Sequence, residues 1–344
     1  MTPRYKNIVD KLELEIRQMK SDGKTKLPSE KELCDSYACS RQTIRAALDV
    51  LESKGLIVKR RGSGTYLADS VTPSCNKVLL IIEDEDKYIY PSLISDLKSV
   101  LESNKYSLEC RSTNGSYRTE GEILSEVKEG SYAAVVIEPI SDVIPNPNAA
   151  LLEQITVPVI YLYSFYGVPS SSLIITEDNI DGISILMRYL EESGHKHIAG
   201  IFYSDGFRGL ARYEGCIKAC RDMALPFNES SFLLLPSSEL LRSGADHLNR
   251  FIVENLPGKT AVICQNDVVA YHLVKALESK GISVPRDVTV AGFDNSYYAK
   301  LDGVSITSIG HSSKDVSRAV ADAVNAAVEK RSFKCAPVAW KLKK

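Results

Sequence analysis

Apolar residues in the first part of the chain follow the spacing of a helix, with polar breaks between the helical stretches. They recur every three or four positions over residues 5–19, which predicts one helix with a buried stripe that ends at Gly23. Ser29 and Glu32 then form an S-x-x-E capping box, so a second helix is predicted from Ser29 to about Tyr37. These signals predict two helices before residue 40.

A third helix is predicted from its cap at Ser40 to its stop at Gly55. Its apolar face carries Ile44, Ala47, Leu48 and Leu51, and the polar positions nearest its N-terminus are Arg41, Gln42, Thr43 and Arg45. These polar types suit DNA, because arginine can bond guanine, glutamine can bond adenine, and threonine reaches phosphate or a methyl group. Two helices joined by a tight turn, the second with such residues exposed, predict helix-turn-helix geometry.

Two short strands are predicted after this helix, Leu56–Arg60 and Thr65–Leu67, around the hairpin tip Arg61-Gly62-Ser63-Gly64. Lys59, Arg60 and Arg61 would charge this tip, and a basic wing beside a recognition helix can reach the neighbouring minor groove. Taken singly, a polar helix face is usually only solvated and a glycine-rich hairpin is usually only a turn. Their succession within 68 residues favours DNA binding.

From residue 76 onward, short apolar strands alternate with longer helical stretches. The predicted strands are Lys77–Ile82, Ser107–Cys110, Ala133–Glu138, Val159–Tyr163, Leu173–Thr176, His197–Tyr203, Phe232–Leu235, Ala261–Cys264 and Val288–Phe293. The predicted helices cover 92–103, 119–129, 179–193, 208–223, 239–255, 267–280 and 312–330. This alternation predicts an α/β domain whose parallel sheets are covered on both faces and bind ligands beyond the carboxyl ends of their strands.

Polar and aromatic residues stand at several of those carboxyl ends. Glu138 and Tyr163 close two strands, and Asn266 and Asp294 follow two others. Carboxylates, amides and rings suit a sugar, because planar groups bond hydroxyls in pairs and rings stack on C–H faces. The alternative stays open, since polar residues also begin loops and cap helices, and Asn266 is as readily an N-cap.

Charge divides the chain where the pattern changes. Residues 1–68 hold 14 basic and 9 acidic residues, a net charge of +5, and the remainder carries −7, for −2 overall. A basic head on an acidic body favours a polyanion-binding head. Residues 69–75, with Pro73, lack periodicity and are expected to be a linker, so the predicted domains are 1–68 and 76–344.

Other patterns narrow the class of protein. The eight cysteines form no CxxC pair and no zinc-type spacing with histidine, so no metal site is expected. No GxSxG, HExxH or Walker motif occurs, so neither a cofactor nor an enzyme activity is expected. The sequence also shows no signal-peptide pattern and no apolar run of about 18 residues, which predicts a cytoplasmic protein without a membrane partner.

The head closely resembles the GntR-type winged helix. The matching residues include Leu27-Pro28-Ser29-Glu30, Ser40-Arg41-Gln42-Thr43-Ile44-Arg45, Gly55-Leu56-Ile57 and Arg61-Gly62-Ser63-Gly64-Thr65-Tyr66. In that family the positions of Glu30 and of the first residues of the third helix contact DNA, as do the wing-tip glycines. The resemblance therefore implies a DNA interface made of Arg4, Lys6, Ser29, Glu30, Ser40, Arg41, Gln42, Thr43, Arg45, Arg60, Arg61, Gly62, Ser63, Gly64 and Thr65.

The body resembles the LacI/GalR-type effector domain, which shares the two-lobed fold of periplasmic sugar-binding proteins. The matching segments include Asp178-Asn179, Arg212-Tyr213-x-Gly215, Cys264-Gln265-Asn266-Asp267 and Gly292-Phe293-Asp294. In that family Arg212, Asn266 and Asp294 match sugar-contacting positions, and His311 matches a ligand-facing position. The resemblance implies three crossings between lobes, near 176, 305–312 and 333, with the ligand between the lobes.

A GntR-type head on a LacI-type body is most similar to the AraR-type arabinose repressors. Local support comes from Tyr88-Ile89-Tyr90-Pro91-Ser92 and Ile137-Glu138-Pro139, which bring Tyr90 and Glu138 into the expected site. The candidate effector residues are Tyr90, Glu138, Tyr163, Arg212, Asn266, Asp294 and His311. The linker with Pro73 cannot form the minor-groove hinge helix of LacI in its usual form, so coupling between head and body is expected to differ.

The expected function is repression of sugar-utilisation genes by a homodimer on operator double-stranded DNA. A small sugar effector, with L-arabinose or a related pentose as first choice, would relieve this repression. Three alternatives stay open: the same architecture with another sugar, an activator, and a sugar-binding protein that does not bind DNA. The basic head counts against the last alternative.

Overall fold

The computed structural model describes residues 4–21, 24–53, 56–60, 62–67, 75–86, 88–128, 130–140, 146–165 and 173–343. The chain groups into two compact units, Met1–Ser74 with Val328–Arg331, and Cys75–Ala327 with Ser332–Lys344. We call the described residues up to 67 the head and the second unit the body. Apart from Cys75, the predicted linker lies outside the described residues.

The head contains the three predicted helices, α1 (Arg4–Ser21), α2 (Glu30–Tyr37) and α3 (Arg41–Ser53). The capping box is confirmed, because the Glu32 N–H donates to the Ser29 hydroxyl at 3.3 Å and the Ser29 N–H donates to the Glu32 carboxylate at 2.7 Å. Ser40 caps α3, its hydroxyl accepting from the Thr43 N–H at 3.2 Å. These bonds satisfy backbone donors that a helix start leaves free.

The predicted wing is confirmed as two antiparallel strands, β1 (Ile57–Arg60) and β2 (Gly64–Leu67). An upstream segment adds to this sheet, because the Leu27 N–H donates to the Thr65 carbonyl at 2.9 Å and the Leu67 N–H donates to the Thr25 carbonyl at 3.0 Å. One apolar core holds the head together, and its buried residues include Leu12, Leu33, Leu48, Leu51 and Leu67. The helices and the wing are therefore fixed to the same core.

Lobe one of the body is built on a parallel sheet of five strands. They are β3 (Lys77–Ile82), β4 (Ser107–Ser112), β5 (Ala134–Ile137), β6 (Val159–Leu162) and β7 (Ile174–Ile175), in the order β4-β3-β5-β6-β7. The helices are α4 (Tyr90–Ser103), α5 (Tyr117–Glu126) and α6 (Ala149–Gln154). Strands β3 and β5 are almost entirely buried apolar runs, as expected where helices cover both faces.

Lobe two is built on a sheet of six strands. They are β8 (Ile198–Tyr203), β9 (Phe232–Leu235), β10 (Ala261–Cys264), β11 (Thr289–Phe293), β12 (Thr307–Gly310) and β13 (Lys341–Lys343), in the order β13-β12-β11-β10-β8-β9. Only β13 runs antiparallel to its neighbour. The helices are α7 (Asn179–Glu192), α8 (Phe207–Asp222), α9 (Ser237–Glu254) and α10 (Asp267–Ser279). Alternate residues of β8 enter separate cores on the two faces, which confirms the predicted α/β architecture.

The chain crosses between the lobes three times, as expected. Strand β7 lies in the sheet of lobe one and β8 in that of lobe two. Helix α11 (Ser313–Val328) follows β12 but bonds back to lobe one, where the Asn325 amide donates to the Asn104 side-chain oxygen at 3.0 Å. The chain then returns to lobe two, because β13 pairs with β12.

Among the regular helices and strands, the sequence patterns missed α6, β12 and β13, and they also missed the 3-10 helices Glu229–Ser231 and Tyr297–Lys300. The two strands show why: β12 reads Thr-Ser-Ile-Gly and β13 reads Lys-Leu-Lys, so neither offers an apolar run or a full alternation. Neighbouring strands place them, rather than local preference. The helix predicted over 119–129 spans Tyr117–Glu126 instead, because the Ser116 hydroxyl caps it by accepting from the Thr119 N–H at 3.2 Å.

Candidate effector cleft and nucleic-acid interface

The exposed face of α3 carries the residues predicted to read DNA. Arg41 and Gln42 are exposed and Thr43 is half-buried, whereas Ile44 and Leu48 are fully buried in the head core. The helix is thus held by one face while its N-terminal turn stays accessible, with backbone N–H groups that suit phosphate. This is the arrangement that a recognition helix needs. The DNA contacts themselves stay a prediction.

The Arg45 guanidinium pairs with a carboxylate from the neighbouring helix. Its Nε lies 3.0 Å from Oε2 and 3.2 Å from Oε1 of Glu30. Both side chains remain accessible, with 65% and 35% of their surfaces exposed. Because exposed ion pairs contribute little stability, the main effect of this one is to orient Arg45. The pair joins two residues that the sequence predicts at the DNA interface.

The wing tip has a conformation that glycine favours. Gly62 and Gly64 have φ angles of +76° and +117°, in the left-handed region. The Arg60 guanidinium lies 4.9 Å from the centre of the Tyr66 ring, and the Lys26 ammonium lies 5.3 Å from it. Tyr66 therefore holds two cations beside the tip, of which the sequence predicted only Arg60.

Not every predicted basic residue lies at the tip. The Lys59 ammonium contacts Asp49 and lies 3.3 Å from Glu52, so the expectation that Lys59 charges the tip is wrong: two carboxylates of α3 attract it away. Ser63 does lie there, its hydroxyl 2.7 Å from that of Tyr66. Outside the described part of the chain are Arg61 and the side chains of Arg4 and Lys6.

The cleft of the body begins where the strands of the two lobes end. In lobe one, the Tyr90 hydroxyl donates to Glu138 at 2.9 Å. In lobe two, Arg208 lies on the first turn of α8, and its Nη1 is 3.3 Å from Glu138, which makes an ion pair between the lobes. Burial raises the pKa of Glu138 to about 7, although Arg208 and Tyr90 both oppose that rise.

Glu177 is the centre of the charge network in this cleft. It lies in the first crossing segment, and its buried carboxylate is 3.1 Å from Arg208 Nε, 3.7 Å from Arg212 Nη2 and 3.0 Å from His311 Nε2. Burial by itself raises the pKa of a carboxylate. Here Arg208, His311 and Arg212 outweigh burial and hold the pKa of Glu177 below its usual value.

Arg212 is fully buried and held from several sides. Its Nε donates to Asn179 Oδ1 at 2.8 Å, and its Nη1 donates to the Gln265 carbonyl. Its guanidinium lies 3.8 Å from the centre of the Phe293 ring and 5.4 Å from that of Trp340. These contacts fix the planar fork of Arg212 in one orientation, with Nη2 toward Glu177.

Aromatic rings form a wall beside these charges. The Tyr163 and His311 ring centres are 5.6 Å apart, and those of His311 and Trp340 are 5.0 Å apart. The Arg208 guanidinium lies 5.3 Å from the centre of the Tyr163 ring. Tyr163 and His311, both predicted at the site, are thus brought together with Glu177 and Arg208.

Asp294 lines the cleft, whereas the Asn266 side chain caps a helix beside it. Asp294 has a φ of +91°, a strained value for a residue with a side chain. It accepts from the Tyr88 hydroxyl of lobe one, and Arg208 Nη2 lies 3.9 Å away, so a second bond runs between the lobes. The Asn266 oxygen caps α10 by accepting from the Val269 N–H at 3.1 Å, as the helix-cap alternative predicted.

Polar atoms without hydrogen-bond partners concentrate in this cleft. Eight such buried side-chain atoms occur among the described residues, and six of them are here. The six are Glu177 Oε2, Arg208 Nε, Arg212 Nη2, Asp294 Oδ1, His311 Nδ1 and Trp340 Nε1. The first three meet one another as ion pairs at 3.1 and 3.7 Å but without hydrogen-bond geometry. Since buried polar groups normally have partners, this concentration marks the cleft as the place where a polar ligand fits.

Two other kinds of site do not occur in the described part of the chain. There, histidine, cysteine and carboxylate side chains form no group of three that could hold a metal ion. None of the helices there combines the length and the apolar character that crossing a bilayer requires.

Sequence reasoning missed four residues of the cleft: Tyr88, Glu177, Arg208 and Trp340. Arg208 had a signal, because it precedes Arg212 by four positions and so shares its helix face. Tyr88 belongs to the segment Tyr88-Ile89-Tyr90-Pro91-Ser92, from which the sequence predicts only Tyr90 at the site. Glu177 and Trp340 lie in or beside crossing segments, where no periodic pattern marks a buried side chain.

Two family models match the chain in separate parts. Residues 4–67 match the model of bacterial regulatory proteins of the gntR family. Residues 187–338 match the model of a periplasmic binding protein-like domain. The first match coincides with the head, and the second covers most of lobe two and its return crossings.

The chain is similar over most of its length to two proteins named arabinose metabolism transcriptional repressor. That of Halalkalibacterium halodurans is 28% identical over 296 residues, which cover 83% of this chain and 79% of the relative. That of Geobacillus stearothermophilus is 29% identical over 327 residues, covering 92% and 88%. The repressor PurR of Haemophilus influenzae is 31% identical over 182 residues, about half of each chain at 52% and 51%. All are named as repressors and none as an enzyme.

Solved structures share the fold. The transcriptional regulator CelR in complex with cellobiose superposes with a TM-score of 0.67 at 19% identity, covering 89% of this chain and 90% of the other. A LacI-type regulator from Alkaliphilus metalliredigens, complexed with D-xylulofuranose, gives a TM-score of 0.64 at 17% identity, covering 78% and 97%. At these identities the likeness concerns the fold alone.

Proposed function

We propose that this chain, a transcription regulator with a gntR-type head and a body of periplasmic-binding-protein-like fold, represses sugar-utilisation genes and leaves its operator when a small sugar binds between the lobes. The head would bind duplex DNA through α3 and the wing. L-arabinose or a related pentose is the first choice of effector, because the two relatives that span most of the chain are named for arabinose metabolism. The protein would act as a homodimer in the cytoplasm.

The observation that carries the proposal is the mixture of unpartnered atoms in the cleft. Trp340 Nε1 has no acceptor, and Arg212 Nη2, Glu177 Oε2 and Asp294 Oδ1 have oppositely charged neighbours at 3.7, 3.1 and 3.9 Å but no hydrogen-bond partner. Two donors and two acceptors thus remain for a ligand. A hydroxyl group both donates and accepts. A phosphate at neutral pH chiefly accepts and an ammonium only donates, so each would satisfy only half of this set. A neutral polyhydroxylated ligand therefore fits best.

The rings of the cleft complete the match to a sugar. Tyr163, His311 and Trp340 lie in succession, with neighbouring ring centres 5.6 and 5.0 Å apart. Such rings pack against the C–H faces of a pyranose or furanose, while the charged groups bond its hydroxyls. A small apolar metabolite would leave Glu177 Oε2, Arg212 Nη2 and Trp340 Nε1 without hydrogen bonds, which is costly in a buried site.

Coupling to DNA would run through the two bonds that join the lobes. The Arg208–Glu138 ion pair and the Tyr88–Asp294 hydrogen bond both depend on how far the lobes are closed. A sugar inserted among these groups stabilises one lobe arrangement, and it shifts the equilibrium only by its difference in affinity for the two states. In a dimer, a change of lobe arrangement alters how well two heads fit two half-sites.

The test is calorimetric titration of the full chain with a panel of pentoses and hexoses, together with release from a duplex that the protein has selected from a random library. We expect one sugar to bind and to release the duplex. Arg212→Ala should stay on DNA in the presence of that sugar, and Arg212→Lys, which keeps the charge but loses the planar fork, should bind it at least tenfold more weakly. No binding of any sugar by a protein that binds DNA would overturn the effector assignment.

Dimerisation is tested separately by sedimentation of the full chain at several concentrations. We expect a species of twice the chain mass that binds a two-half-site duplex with one dimer per duplex. A monomer that binds a single half-site as tightly as the full duplex would contradict the dimer model while leaving the sugar site intact.

A further inference from the structure

Two cysteines, Cys34 and Cys39, lie next to the turn of the helix-turn-helix. Cys34 lies in the last turn of α2, and Cys39 follows Ala38, which ends the helix with a φ of +47°. The Cys39 N–H donates to the Cys34 carbonyl at 3.2 Å. A bond of this span closes a helix in the Schellman manner, and a contact between the side chains of the two bonded positions frequently accompanies it.

Packing shows the same neighbourhood. Cys34 and Cys39 are both half-buried and both pack against the core of the head. Burial and the nearby Cys34 sulfur raise the pKa of the Cys39 thiol. The backbone bond between them implies Cα atoms about 5–6 Å apart, which lies within the range that a disulfide spans.

We propose that Cys34 and Cys39 form a redox-sensitive thiol pair, that a low-molecular-weight disulfide oxidises the pair to an internal disulfide, and that this disulfide weakens DNA binding. This modification site is separate from the effector cleft. Six further cysteines lie elsewhere in the chain, at 75, 110, 216, 220, 264 and 335. Transient disulfides of this kind are the usual form in a reducing compartment.

The chemistry balances in two exchange steps. The Cys39 thiolate attacks one sulfur of the small disulfide, forms a mixed disulfide and expels one small thiolate. The Cys34 thiolate then attacks the Cys39 sulfur, forms the internal bond and expels the second small thiolate. Two protein thiols are oxidised and one small disulfide is reduced to two thiols, with the protons passing to the leaving groups.

Closure would act on DNA binding through the start of α3. Cys39 directly precedes Ser40, whose hydroxyl caps α3 and lies 2.8 Å from that of Thr43. The two sulfurs must approach to about 2 Å to bond. Because both side chains pack against the head core, this approach draws the turn toward α2 and shifts Arg41 and Gln42 relative to the DNA.

The full chain is treated with oxidised glutathione and its peptides are analysed by mass spectrometry. DNA affinity is measured before and after the treatment. We expect a linked peptide pair containing Cys34 and Cys39 that lacks two hydrogens, and at least tenfold weaker binding to the selected duplex. Dithiothreitol should reverse both changes. The Cys34–Cys39 disulfide should form faster as pH rises, because the raised pKa of Cys39 limits its thiolate at neutral pH.

Variants separate this pair from the other cysteines. Cys39→Ser and Cys34→Ser should each bind DNA normally and keep that affinity in oxidised glutathione, whereas Cys335→Ser should still lose it. A glutathione adduct that persists on Cys39 without the internal bond would overturn the proposal. So would a Cys34–Cys39 disulfide that leaves DNA affinity unchanged, because closure would then carry no consequence for binding. Sugar titrations are independent of either outcome.

Discussion

At the scale of single residues, exposed arginines of α3 should decide DNA affinity. Replacing Arg41 with alanine removes an exposed guanidinium at the start of the recognition helix. If it bonds a base in a bidentate manner, its loss costs about 1–3 kcal/mol, roughly a fivefold to 150-fold drop in affinity. Fluorescence anisotropy with the selected duplex measures this, and calorimetry should show unchanged sugar binding.

Arg318→Ala is the matched control for Arg41→Ala. Arg318 is an exposed arginine of α11, paired with Asp315 at 3.1 Å, and it belongs to the body. Its removal should leave both DNA and sugar affinity as they are. Equal DNA affinity of Arg41→Ala and the unmodified protein would refute the assignment of α3.

Glu138 should give the body a pH-dependent stability. Burial raises its pKa to about 7 from a usual value near 4.5, so between these limits the folded carboxyl holds a proton that the unfolded one has lost. Its contribution is therefore complete below about pH 4.5 and declines as pH rises through 7, by at most about 3 kcal/mol. In Glu138→Gln, the free energy of unfolding should fall less between pH 5 and 8 in urea titrations.

Glu109→Gln is the control for this pH dependence. The pKa of Glu109 is lowered mainly by its hydrogen bond from Lys77, so Glu109 stays ionised throughout pH 5 to 8. Its replacement should not alter the slope of stability in that window. An unchanged slope in Glu138→Gln would show that Glu138 does not titrate there.

The residue scale is also where sequence reasoning was least complete. The sequence predicts Arg212 at the site because it lies in a recognisable motif. It does not predict Glu177, whose carboxylate lies 3.7 Å from Arg212. Glu177 is buried in a crossing segment, and only the meeting of Arg208, Arg212 and His311 around it makes its ionisation tolerable. Such an environment comes from three distant parts of the chain, so no local pattern predicts it.

At the scale of elements, caps and turns were predictable because their signals are local. Ser29, Ser40 and Asn266 each cap the helix that the sequence assigns to them. Short strands such as β13 were not predicted, because their place depends on pairing with β12. Local chemistry thus predicted most helices, and tertiary pairing decided the edge of the sheet in lobe two.

The capping box of α2 should stabilise the head measurably. Ser29→Ala removes the hydroxyl that accepts from the Glu32 N–H, and losing such a cap costs about 1 kcal/mol. Hydrogen exchange read by mass spectrometry should become faster in the peptides of α2. Ser36→Ala, an exposed serine within the same helix, should leave exchange unchanged or slower. Faster exchange in both variants would argue against the cap as the cause.

At the scale of the whole body, closure of the lobes should depend on the bond between Tyr88 and Asp294. Tyr88→Phe removes it and keeps the aromatic ring, while the Asp294 carboxylate loses this one donor. If closure is needed for binding, a smaller closed population lowers apparent sugar affinity in proportion, by roughly tenfold for one bond to a charged group. Calorimetry measures the affinity, and small-angle scattering measures the mean opening.

Tyr132→Phe is the control for this prediction. Its hydroxyl donates to Glu109 at 3.0 Å, and both residues lie in lobe one, so the bond does not join the lobes. Sugar affinity and scattering should stay as they are. If both variants weakened sugar binding equally, the effect would stem from general stability rather than from closure.

Residues 338–343 line part of the cleft and form the edge of a sheet, so losing them has a genetic consequence. Trp340 stands in the cleft, Val338 bridges to Glu177, and Lys341–Lys343 form the edge strand β13. A stop codon in place of Val338 would therefore remove one wall of the cleft and one of the three connections between the lobes, yet leave every residue of the head in place. Cells carrying such an allele should keep the target genes silent whatever sugar they are fed, and the trait should be dominant.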